Sequence, residues 1–102
     1  MKLQSCRRGG SLYVYLEGEL DECSVTETRH SADRLIDENT GVSRASFNLA
    51  GVRFMDSTAI GFLIGRYKKL RKYGIGMFLE APDASADKIL SLSGVYSLMP
   101  KV

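Results

Sequence analysis

One hundred and two residues fit a single domain with one modest core and leave no room for a second. The apolar and charged fractions, 44% and 25%, are those of an ordinary globular chain, and a net charge of +2 is too small to imply a nucleic-acid or membrane partner. Cys6 and Cys23 form no Cys-x-x-Cys pair and have no partnering His pair, which argues against a metal site and a disulfide scaffold and fits a reducing cytosol.

No stretch approaches the ~20 apolar residues of a membrane span, and no secretory signal is present. Leu3-Gln4-Ser5-Cys6 looks superficially like a lipoprotein cleavage box but has no apolar segment before it.

In chain order, Gly9-Gly10 separates two short segments. The second alternates, with Leu12, Val14 and Leu16 on one face and Tyr13, Tyr15 and Glu17 on the other, which predicts a strand with a hairpin before it. Gly18-Glu19-Leu20-Asp21 is expected to break that strand. From about Ser24 to Asn39 the period is helical, with Val25, Thr28, Ala32, Leu35 and Ile36 on one face. Ser24 and Glu27 have the spacing of a capping box, and Gly41 is expected to stop the helix.

Ala45 to Leu49 suits an interior strand, followed by a loop over 52–56. A second helix is predicted over 57–73, with Ile60, Leu63, Ile64, Tyr67 and Leu70 as its buried stripe. Arg66, Lys68, Lys69, Arg71 and Lys72 decorate its last turns, where cations suit the helix dipole. Gly61 and Gly65 are expected to allow close helix–sheet contact. Residues 75–80 read as a strand. Pro82-Asp83 opens a third helix with Ala86, Ile89, Leu90 and Ser93 inward and Gly94 as its C-terminal cap, and the apolar run Val95 to Met99 is read as a last strand. Strands alternating with helices imply an α/β fold: one domain over 1–102, a mixed but mostly parallel sheet of four or five strands, and three to four helices packed on it.

In such a sheet, functional groups gather in loops at the carboxyl ends of the strands. Asp56-Ser57-Thr58 falls there, at the start of a helix. A hydroxyl in that place is either a helix cap or a site of chemistry. The first turn offers unpaired N–H groups and partial positive charge, which would hold a phosphate on that oxygen better still. A Ser–His–acid triad is not supported, because the only histidine, His30, lies on the polar side of the first helix and Gly-x-Ser-x-Gly is absent. There is no phosphate loop of the Gly-x-x-x-x-Gly-Lys-[Ser/Thr] type. The basic stretch 66–72 lacks an aromatic platform for nucleic acid, and no cofactor motif is present.

Arg53-Phe54-Met55-Asp56-Ser57-Thr58-Ala59-Ile60-Gly61 and the helix that follows strongly resemble the signature of the anti-sigma factor antagonists, the family that gives the STAS domain its name. Gly18-Glu19-Leu20-Asp21 resembles that family's second motif and Leu90-Ser91-Leu92-Ser93-Gly94-Val95 its third. The resemblance implies a cytoplasmic, non-enzymatic regulator that works by partner switching. The unphosphorylated antagonist binds an anti-sigma factor serine kinase of the GHKL class and frees a sigma factor. The kinase phosphorylates the antagonist, and a PP2C-type phosphatase reverses this. Carried over residue by residue, Ser57 is the phosphoacceptor, with Thr58 as its competitor. Asp21, Met55, Asp56, Thr58, Ile60 and Gly61 form the contact surface, and Asp56 is expected to orient the serine hydroxyl.

Ala59 stands where the family usually has glycine, so its methyl is expected to narrow a kinase's approach. The chain ends near Pro100, where family members commonly add a final helix. Its absence is expected to expose one side of the sheet and to favour self-association into a homodimer. The rival reading from the same resemblance is a STAS scaffolding or regulatory subunit, stressosome-like or associated with a phospholipid transporter, that needs no phosphorylation.

Overall fold

A computed structural model describes all of residues 1–102. Four strands, β1 (Lys2–Arg8), β2 (Ser11–Leu20), β3 (Arg44–Met55) and β4 (Gly76–Glu80), form one sheet in the order β1-β2-β3-β4. The β1–β2 hairpin is antiparallel, while β2–β3 and β3–β4 are parallel. Helices α1 (Val25–Asp37) and α2 (Thr58–Lys72) make the two crossovers, and α3 (Ala84–Ser93) follows β4. The expected α/β architecture with a mixed, mostly parallel sheet is the observed one.

Alternation supplies the core. Leu12, Val14 and Leu16 of β2, Ala45, Phe47 and Leu49 of β3, and Met77 and Leu79 of β4 are buried on the helix-covered face. The helices add Ala32 and Ile36, Phe62, Leu63 and Leu70, and Ala86 and Leu90 to the same cluster.

Three boundaries depart from expectation. The strand β2 does not break at Gly18, and residues 52–55 are strand rather than loop. The reason is a pair of bulges: Glu17 pairs with Gly51 where Tyr15 pairs with Asn48, and Glu19 pairs with Phe54 where Gly18 pairs with Val52. Each inserts one extra residue into β3, so the buried positions run Leu49, Val52, Met55 instead of every second residue. Gly51 makes the first bulge possible, because a Cβ there would lie 2.9 Å from the Leu16 carbonyl oxygen.

The expected last strand over Val95 to Met99 is instead a short 3₁₀ turn, Val95–Ser97. Gly94 adopts a left-handed conformation at φ 81°, ending α3, and the hydroxyl of Ser97 donates to the Gly94 carbonyl at 2.9 Å. Val95 and Met99 still reach the core. Backbone pairing with the sheet comes only afterwards, at a single parallel bridge between Lys101 and Leu79.

The buried stripe of α2 is rotated from the expected one. Ala59, Phe62, Leu63, Arg66 and Leu70 are inward, whereas Ile60, Ile64 and Tyr67 are half-buried on the flank. Arg66 is therefore not surface decoration. Its Nε lies 2.8 Å from Oδ1 of Asp33 on α1, and Lys69 bonds Asp37 at 3.0 Å one turn further on. These pairs turn the α2 stripe towards α1 as well as the sheet. Gly61 and Gly65 do not mediate close packing, since a Cβ at either would meet nothing within 4 Å. Ser93, expected inward, is exposed.

Candidate functional site

Parallel pairing of β2 with β3 carries the chain to one edge of the domain twice. Leu20 and Met55 are register partners at the ends of the two strands, so the turns that follow lie side by side. Backbone joins them, with the Asp56 N–H donating to the Leu20 carbonyl at 3.4 Å. This is how Asp21, 36 residues before Ser57 in the chain, comes to neighbour the Asp56-Ser57-Thr58 turn.

The first of these turns is built by Asp21. Its Oδ1 accepts from the N–H groups of Cys23 and Ser24, both at 3.0 Å. Ser24 does not form the expected capping box. It sits in helical geometry with no side-chain cap bond, and its hydroxyl donates to the Glu19 carbonyl at 2.7 Å. The reason is local competition: the Ser24 hydroxyl is turned back to the preceding loop, where it also accepts from the Asp21 N–H at 3.2 Å.

Asp56 does the equivalent work in the second turn. Oδ1 accepts from the Thr58 N–H at 2.9 Å and from the Thr58 hydroxyl, while Oδ2 accepts from the Glu22 N–H at 3.4 Å. Asp56 thus ties both turns together. The Thr58 hydroxyl bond holds its carboxyl below the ordinary carboxylate value, against the opposing effect of burial, so it is ionised at neutral pH.

Ser57 lies between these groups and is committed to none of them. It is exposed, at φ −63° and ψ −20°, with no side-chain cap bond. Asp56 orients the Thr58 hydroxyl, not that of Ser57 as expected. The first turn of α2 also lacks the free amides foreseen for a phosphate. Thr58 N–H is taken by Asp56 Oδ1, Ala59 N–H by the Asp56 carbonyl at 3.0 Å, and Ile60 N–H by the Ser57 carbonyl at 3.2 Å.

Of the expected contact residues, the structure brings Asp21, Asp56, Thr58 and Ile60 to this edge half-buried, with Gly61 exposed. Met55 is a core residue, 5% exposed, and has no surface to offer. The double bulge exchanges it for Phe54, which is 51% exposed beside Arg53. Sequence reading missed Phe54 because residues 52–56 read as loop; Gly51, an isolated glycine within a strand, is the one signal of a bulge that could have corrected it. Ala59 is fully buried. Its methyl fills core space and cannot narrow a partner's approach.

Beside Asp21 a surface cleft of about 580 Å³ carries Glu17, Glu19, Asp21 and Glu27 against Lys2 and Arg53. No three His, Cys, Asp or Glu side chains are grouped to hold a metal ion, and no helix is long and apolar enough to cross a membrane.

Comparison with known proteins agrees with this architecture. A curated relative, the anti-sigma F factor antagonist of Paenibacillus polymyxa, is 31% identical over 91 residues, covering 89% of this chain and 77% of the relative. Among solved structures, the anti-sigma factor antagonist SpoIIAA in its unphosphorylated form superposes with a TM-score of 0.79 at 24% identity, covering 99% of this chain and 88% of that one. The phosphorylated form of the Bacillus cell fate determinant SpoIIAA gives 0.71 at 24% identity, covering 99% and 91%. The family model for the STAS domain matches residues 3–102, and the chain belongs to the STAS domain family.

Proposed function

We propose that this chain is an anti-sigma factor antagonist, a ligand and phosphorylation substrate and not itself a catalyst. The edge bearing Asp21 and Asp56-Ser57-Thr58 binds an anti-sigma factor of the GHKL serine-kinase class. Phosphate on Ser57 ends that binding, and a PP2C-type phosphatase restores it.

One observation carries the proposal. Three hydroxyls sit at the two adjoining turns, and those of Ser24 and Thr58 are spent on hydrogen bonds within the fold while that of Ser57 is free and exposed. A kinase needs a hydroxyl that can leave its surroundings and enter another active site. Only Ser57 meets that condition without dismantling a turn. In the transfer, Ser57 Oγ bonds to the γ-phosphorus of ATP, the bond to the β–γ bridging oxygen breaks, ADP leaves, and the serine proton goes to a base on the kinase.

The modification adds about −1.5 to −2 charges at neutral pH. They appear next to Asp56, which is ionised and already holds the helix start. Within the free domain the phosphate projects into water and the Asp56 bonds stay in place. Inside an interface it must lose that water beside two carboxylates, which is far more costly. The phosphate therefore blocks docking and leaves the fold intact.

The test is capture from native lysate on immobilised wild type and Ser57→Asp, followed by reconstitution of any recovered GHKL kinase with ATP. The kinase should bind wild type at least ~100-fold more tightly than Ser57→Asp, phosphate should map to Ser57, and the circular dichroism of Ser57→Asp should match wild type. Equal recovery on both baits, or phosphate on Thr58 in Ser57→Ala, overturns the switch. Transporter or scaffold subunits recovered on both baits favour the phosphorylation-independent alternative.

A further inference from the structure

Bulges re-aim side chains, and the second bulge of β3 re-aims an aromatic one. With Gly18 opposite Val52, unbroken pairing would set Arg53 against Glu19 and Phe54 against Leu20, a core residue. Phe54 would then point inward. Arg53 is instead the extra residue, so Phe54 stands against Glu19 and Met55 takes the place beside Leu20. The result is a phenylalanine 51% exposed next to a methionine 5% exposed. A regular strand would bury the ring, and the bulge keeps it out.

Phe54 lies at the same edge of the domain as Ser57. With Val52, Asp83 and Ala86 it bounds a hollow of about 70 Å³ at the start of α3, and Arg53 lines both that hollow and the cleft beside Asp21. Phe54 precedes Ser57 by three residues, so their Cα atoms are at most about 11 Å apart. A specific interface covers about 800 Å² on each partner, and a disc of that area has a radius of about 16 Å. A partner centred on Ser57 therefore covers Phe54 as well. Tyr73, an aromatic of similar exposure at 46%, closes α2 about 24 Å along the helix from Ser57 and falls outside that footprint.

Resting on the docking role given to this edge above, we propose that Phe54 is the apolar anchor of the interface with the anti-sigma factor, seated in an apolar socket beside that kinase's catalytic cleft. Interfaces draw most of their affinity from a few side chains, often aromatic, that sit near the centre and are shielded from water when bound. Phe54 meets these conditions. Its backbone is already fixed by pairing within β3, so little freedom is lost on docking. Its ring faces solvent in the free domain, so the fold does not depend on it. The two residues then divide the work: the hydroxyl of Ser57 sets whether the partner docks, and the ring of Phe54 sets how tightly.

The probe is the GHKL kinase recovered on the wild-type bait and purified. It is titrated with wild type, Phe54→Ala, Phe54→Gln, Phe54→Leu and Tyr73→Ala, and its rate of phosphorylating each is measured. Phe54→Ala should bind more than about tenfold more weakly. KM should rise by a similar factor with kcat within about twofold of wild type, because the lost contact is made equally before and during transfer. Phe54→Gln, polar and of similar reach, should lose as much, so the comparison does not hang on the folding of one variant. Phe54→Leu should recover part of the affinity, and Tyr73→Ala should bind as wild type does. Circular dichroism should be the same for all five proteins. Binding of folded Phe54→Ala or Phe54→Gln within about twofold of wild type overturns the anchor and leaves the Ser57 switch standing. An equal loss in Tyr73→Ala overturns it too, because any exposed ring would then serve. If wild type and Ser57→Asp bind the kinase equally, the docking role of this edge fails, and the anchor fails with it.

Discussion

The helices α2 and α3 both begin shortly after a strand and behind an aspartate, yet their first turns are held differently. At α3 the aspartate is itself the cap residue. Asp83 is extended, at φ −71° and ψ 174°, and accepts from the Ala86 N–H at 2.8 Å. At α2 the aspartate sits one position earlier, and Asp56 closes on Thr58, the second residue after it. Ser57 occupies the cap position in helical geometry with its hydroxyl unused. One added residue between acid and helix leaves a spare side chain at the exposed edge of the domain. A helix start held by its neighbour can carry a modifiable group, whereas one held by its own cap cannot change that group without loosening.

The widest contrast is in stability. Asp83→Ala removes a cap and should cost about 1 kcal/mol. Ser57→Ala removes no bond and should stay within about 0.5 kcal/mol of wild type, the range of neutral surface changes. Urea unfolding midpoints of the two variants measure this directly. Equal losses would mean that Ser57 caps α2 after all, and the two helix starts would no longer differ in kind.

How far this was legible in the residues depends on periodicity. The stripe of α1, that of α3 apart from Ser93, and the alternation of β2 follow from hydrophobic spacing, as does the α/β order. The latter half of β3 does not. Buried positions three apart at Leu49, Val52 and Met55 match neither strand nor helix, because each bulge inserts one residue, and only the first has a signal, in Gly51. Met55 and Phe54 consequently exchange the places expected of them. The Val95 to Met99 run is apolar enough for a strand, and only the turn-forming serines and Gly94 argue otherwise. Which hydroxyl is free is not a sequence property at all. On paper Ser24 and Ser57 are both plausible caps and Thr58 competes with Ser57 as acceptor, and only the hydrogen bonds of the two turns distinguish them.

Ala59→Gly sharpens the comparison at its next position. The methyl lies in the core, two residues beyond Ser57, so its loss should cost about 0.5–1 kcal/mol through helix propensity and lost packing. Because the methyl does not face outward, affinity for the anti-sigma factor should stay within about twofold of wild type, below the tenfold that 1.4 kcal/mol would bring. Isothermal titration of the two proteins against the captured kinase checks this. Tighter binding by the glycine variant would show that the first turn of α2 flexes on docking and that the methyl restrains it.

The smallest effect concerns the acid behind Ser57. The folded-state carboxyl of Asp56 is held below its ordinary 3.8 by the Thr58 hydroxyl, so its ionised form stabilises the folded turn. That contribution is present in full above about 3.8 and is lost as pH falls through the lower folded value. Asp37 and Asp87 are shifted in the same direction, by Lys69 and by Tyr96 with Lys101 respectively, and titrate in the same acid window. The difference between wild type and Asp56→Asn isolates the one group. The asparagine oxygen can still accept from the Thr58 amide, so the variant should match wild type closely in salt at pH 7. It should lose less than wild type between pH 5 and pH 3 in low salt, where exposed charges are least screened. Parallel acid titrations of the two proteins would mean that Thr58 holds the turn without the charge. The repulsion that Asp56 would exert on the proposed phosphate at Ser57 would then be separable from its part in building the helix start.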